Sequence, residues 1–170
     1  MNPILSNIIS GIEQHVSKQN LQGYNNTVLA GKKILFDPTT HANLELVKNP
    51  ASRQDPIHTI SQGVAGLMWL MYLQSHKQMP MEVLIMAAVT TMCEVFDFAE
   101  TGLGVQVTPD IVAATSQELS MLLFKKLGIT TEQLNQAIAT GHQQIVEHQA
   151  KQAQAQGGMM NPNQPAPQGV

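Results

Sequence analysis

Glu94, Asp97 and Glu100 recur at intervals of three in one stretch of the chain. On a helix that spacing brings the three carboxylates to one face, where they could hold a divalent cation or serve as an acid–base pair. The di-metal scheme of helical bundles draws Glu-x-x-His pairs from facing helices. No glutamate here is followed by histidine three positions on. The favoured reading is therefore a solvated or ion-paired end of a helix. A metal-dependent enzyme ranks third among the functional readings, and its test is replacement of all three acids by their amides.

The other reactive side chains are dispersed. The six histidines, His15, His41, His58, His76, His142 and His148, fall in five different elements. His142 and His148 share a helix but point about 240° apart at about 100° per residue, so they cannot chelate together. Cys93, the one cysteine, lies in the most apolar run, where a thiol acts as a small hydrophobe with a raised pKa. It also excludes a disulfide framework and a cysteine-rich zinc site. No Gly-x-Ser-x-Gly elbow, P-loop or dinucleotide fingerprint occurs, and Gly102-Leu103-Gly104 lacks the third glycine. The reading is a non-enzyme without cofactors or metal.

Composition narrows the partners. The chain has 170 residues, 43% hydrophobic, 4% aromatic and only 12% charged, with a formal net charge of −3. The charged fraction is about half the roughly 25% of ordinary globular proteins. With no basic block and Arg53 as the sole arginine, neither sequence-specific nucleic-acid binding nor attraction to anionic lipid is expected. The N-terminus lacks the charged and long apolar regions of a signal peptide, and no apolar run reaches the roughly 20 residues of a membrane helix. A soluble chain made in a cytoplasm is expected.

Ten methionines are an excess that chemistry does not explain. Met68, Trp69, Met71 and Tyr72 form one stripe, which suits either core filling or a subunit interface. Leu134, Ile138, Gly141 and Ile145 form a second seam at 4-3-4 spacing. Trp69, Met68, Met71, Tyr72, Leu134, Ile138 and Ile145 are the interaction candidates.

The elements that must position these residues are helices. Ile4, Ile8, Ile12 and Val16 mark a stripe over 3–18. A second segment spans about 24–36, weakened by Gly31, and Thr39 or Thr40 can cap a short helix reaching Val47. Asp55-Pro56, Pro80 and Thr108-Pro109 each open a long helix with proline in its first turn. These helices end near His76, at Gly102 and at Gly128 respectively. Thr130 or Thr131 caps a last helix reaching about Gln154, followed by a Pro/Gly/Gln tail of disordered composition. Every residue from Val83 to Val89 is apolar, which places the Pro80 helix at the centre with the other two long helices flanking it.

The expected fold is all-α. Residues 1–54 form an N-terminal helical arm and linker, and 55–155 form an antiparallel bundle of three long helices with a protruding C-terminal helix. Residues 156–170 form the tail. Removing 157–170 should leave folding intact.

Several of these stretches carry a likeness. Asp55-Pro56-Ile57, Met79-Pro80, Phe96-Asp97-Phe98-Ala99-Glu100-Thr101-Gly102, Val107-Thr108-Pro109 and Lys126-Leu127-Gly128-Ile129 are the firmest. With Ala30-Gly31-Lys32-Lys33-Ile34-Leu35-Phe36 and Thr40-His41, the chain over about 24–135 resembles small virion structural proteins of tailed bacteriophages. The resemblance implies a part in particle assembly (head, head–tail connector, tail or a packaged internal protein) and brings no catalytic motif. It implies location in the virion and other virion proteins as partners. A homo-oligomer is expected from the surplus of apolar surface. The alternative is a non-virion scaffold or chaperone. Contact of the 3–18 helix with a membrane interface is disfavoured by its single positive charge, Lys18.

Overall fold

The computed structural model describes residues 1–41, 45–130, 132, 133 and 136. Among them all regular structure is helical, with no strand. The elements are α1 (Pro3–His15), α2 (Leu21–Phe36), α3 (Pro38–His41), α4 (Glu45–Lys48), a 3₁₀ turn (Pro50–Arg53), α5 (Pro56–Gln74), α6 (Met81–Leu103) and α7 (Pro109–Lys126). None of the described helices is long and apolar enough to cross a membrane.

Local chemistry sets most boundaries. Asp55 caps α5 by accepting from the His58 N–H, and Thr108 caps α7 by accepting from the Ile111 N–H at 3.3 Å. Both helices carry proline in the first turn, where a missing N–H costs nothing. For α3 the Asp37 carboxylate caps the helix by accepting from the Thr39 N–H at 2.8 Å. Arg53, the sole arginine, donates from Nε to the Leu46 carbonyl at 2.9 Å and closes the end of α4. Gly102 does not end α6. The Phe98 ring lies against Gly102, 3.1 Å from where a β-carbon would stand, and the helix continues over it. The break comes at Gly104, whose φ of 70° is the left-handed C′ conformation, with the Val105 N–H returning to the Ala99 carbonyl at 3.0 Å.

The core gathers around α6. Val83, Leu84, Ala87, Ala88, Met92, Cys93, Phe96 and Ala99 are buried on successive sides of this helix, as an all-apolar stretch requires. It packs against α1, α2, α5 and α7. α5 and α7 both pack on α6 as expected, though chiefly on each other, and α1 and α2 cover another side of α6.

The N-terminal segment is therefore no detached arm. Leu5 is 0% exposed, and Tyr24, Thr27 and Leu35 are buried with it. The compact unit is residues 1–128, so the boundary falls after Gly128 (φ 75°) and not after residue 54. In the second unit, 129–170, Thr130 and Gln133 form a capping box: the Thr130 N–H donates to Gln133 Oε1 at 2.9 Å, and the Gln133 N–H donates to Thr130 Oγ1 at 3.2 Å. The expected reach of that last helix, and the 156–170 tail, lie outside the described residues.

Candidate functional site

The acidic row lies on the side of α6 that meets the first two helices, and each acid has its own partner there. Glu94 takes the Lys32 ammonium of α2 at 2.6 Å. Asp97 faces the Met1 ammonium at 3.6 Å. Glu100 receives the Asn2 amide on both carboxylate oxygens, at 3.0 and 3.1 Å. The same Asn2 caps α1 by accepting from the Ile4 N–H at 3.0 Å. Asp97 and Glu100 thus lie at the N-terminal end of α1, where its macrodipole favours negative charge.

A fourth carboxylate completes the arrangement at the other end of α1. Glu82, in the first turn of α6, accepts from the Ser17 N–H at 2.9 Å, the Ser17 hydroxyl at 3.3 Å and the Asn20 amide at 2.6 Å. These bonds, led by the Ser17 N–H, hold its carboxyl below the usual glutamate value. Asn20 precedes α2 with helical backbone angles (φ −97°, ψ −10°) and no side-chain cap, and its amide N–H donates to Glu82. Glu82 and Glu100 are about 27 Å apart along α6, and Asn2 and Ser17 span a similar length along α1, at about 1.5 Å per residue. Residues at both ends of α1 therefore bond to carboxylates of a helix running the opposite way.

Between α1, α2 and α6 lies a cleft of about 160 Å³, lined in part by Ile9, Glu13, Val28, Lys32 and Glu94. At its edge the Tyr24 hydroxyl shares a 2.8 Å hydrogen bond with Thr90. Burial raises the Tyr24 pKa, so the phenol stays neutral. Lys32 and Glu94 neutralise one another, so neither stands as a free acid or base. Among the described residues no group of three potential metal ligands converges.

Cys93 is buried, and burial pushes its thiol up to about 12; it is a core side chain. His58 lies 2.7 Å from Glu118 and joins α5 to α7.

The interaction candidates divide. Met68 and Met71 are buried in the core, which selects the core-filling reading for both. Trp69 and Tyr72 are half-buried, with ring centroids 5.7 Å apart. Leu134, Ile138 and Ile145 lie outside the described residues. Beside Trp69 the structure adds Leu70, 58% exposed, and Leu73, 39% exposed. Both were hidden in the sequence by the unbroken apolar run around them. Periodicity could have found them: Ile60, Val64, Leu67 and Met71 take the inward seam, and this turns Leu70 and Leu73 outward.

Comparison with protein-family models, with curated proteins and with solved structures returns no match.

Proposed function

We propose that this protein is a virion structural protein of tailed bacteriophages that acts through protein–protein contacts in particle assembly. The observation that carries the contact reading is on α5. From Pro56 to Gln74 this helix has no aspartate, glutamate, lysine or arginine, yet it leaves Leu70 and Leu73 in solvent. A solvated helix face is ordinarily charged, and an exposed apolar face beside half-buried aromatics suits a contact surface. The acidic row, the best candidate for chemistry, is engaged in holding the N-terminal helices to α6. The phage setting rests on the resemblance of the stretches from Ala30 to Ile129. Mass spectrometry of purified particles tests the reading: it expects this chain as a component of mature virions. Presence during assembly but absence from finished particles would replace it with the scaffold or chaperone reading.

A further inference from the structure

We propose that the outer face of α5 is the interface of a two-fold homodimer in which two copies of α5 pack antiparallel. Gly63, Gly66, Leu70 and Leu73 follow one another at intervals of three, four and three. At about 100° per residue they occupy an arc of about 80°. That is the spacing of a packing seam, and it lies on the side of α5 turned away from the buried seam of Ile60, Val64, Leu67 and Met71. Gln62 and Gln74 border it with uncharged amides.

The occupant follows from how the seam is divided. Its first half is two glycines and its second half two leucines. A β-carbon added at Gly63 or Gly66 would meet nothing within 4 Å, so no packing within the described chain asks for glycine there. Each glycine in a helix interior still costs stability relative to alanine. A second copy laid antiparallel supplies the missing reason. A two-fold axis level with position 68 brings Gly63 opposite Leu73 and Gly66 opposite Leu70, and the same pairs recur across the axis. Each leucine then enters the space left by a glycine, and the backbones can approach more closely than the usual 8–10 Å between helix axes. A parallel pair would set glycine against glycine and leave that space empty. Because the face has no charged residue, self-association meets no like-charge repulsion. This rests on reading α5 as a contact surface, and names the partner as a second copy of this chain.

The test uses the full chain. Sedimentation equilibrium at micromolar concentration should give a dimer. Gly63→Leu fills open space in the monomer, so helicity should hold, while the dimer weakens about 100-fold because the new side chain occupies the space that Leu73 of the second copy would enter. Under mild oxidation, a mixture of Gly66→Cys chains and Leu70→Cys chains should form a mixed disulfide in preference to either self-pair, since bridged α-carbons must lie within about 7 Å. Buried Cys93 does not compete. A monomer at every concentration, a dimer indifferent to Gly63→Leu, or preferential Gly66→Cys self-linking would each overturn the proposal. A monomer found in virions would refute the dimer alone, whereas a dimer absent from virions would refute the virion reading alone.

Discussion

Leu5→Ala is the sharpest probe of whether the N-terminal helices belong to the fold. Leu5 is 0% exposed and belongs to the core cluster formed with α6. Truncation to alanine removes three carbons, a transfer loss of about 2.4 kcal/mol at roughly 0.8 kcal/mol per buried methylene. The unfilled space raises the total to about 2–5 kcal/mol, the range for buried leucines. α1 has 13 residues, about the length at which an isolated helix is marginal in water, so its helicity depends on being docked. Urea unfolding followed by circular dichroism gives the change in stability. If the variant unfolds in one step, the midpoint falls with the slope unchanged. If α1 comes away first, the slope falls as well, because the native state already exposes surface, and amide exchange in α1 speeds up. A loss below about 0.5 kcal/mol, the scale of a neutral surface change, would refute the packing described here and restore a free arm.

Three further outcomes follow from the same contacts. Gly31 lets α2 ride close on α6, since a β-carbon there would stand 3.3 Å from Thr91 Oγ1 and 3.4 Å from Met68 Cε. Gly31→Leu should therefore destabilise by about 1–3 kcal/mol through overpacking, despite its better helix propensity, and a thermal melt equal to wild type would contradict the close crossing. The lowered pKa of Glu82 makes its contribution to stability full above the ordinary glutamate value of 4.5 and lost as the pH falls below it through the lowered value. The stability gap between wild type and Glu82→Gln should thus close in acid, and a gap that widens there would reverse the sign. Cys93, with its thiol pushed up to about 12, should react with a thiol reagent at pH 8 only at the rate of unfolding, and rapid stoichiometric labelling of folded protein would place it at the surface.

What was legible in the sequence was local. Asp55-Pro56 and Thr108-Pro109 carry their helix starts within four residues, because the capping oxygen and the N–H that donates to it lie on the same turn. The central place of α6 was legible too, since a stretch with no polar face can only be buried. Gly102 shows where local signals stop deciding. Two glycines stand two apart, and the helix runs past the first, on which the Phe98 ring packs while it also meets Phe36 of α2 edge-on at 5.9 Å. The N-terminal helices were misread for the same reason. Their amphipathic stripes fit an arm as well as a docked pair, and only partners far along the chain separate the two.

Those partners account for the one cluster that looked like chemistry. A spacing of three says that Glu94, Asp97 and Glu100 share a face, but it is silent on what lies opposite. The opposite groups are Lys32, Met1 and Asn2, the last separated from Glu100 by 98 positions. Three acids that each face a different group are spread along an interface, whereas a metal centre or an acid–base pair needs them converging on one point. The same spacing therefore serves anchoring when the donors come from a neighbouring helix. Gly63 and Gly66 pose the complementary case. Gly31 has its reason in the approach of α2 to α6, whereas among the described residues nothing packs on Gly63 or Gly66, and a second molecule would supply the contact that calls for glycine there.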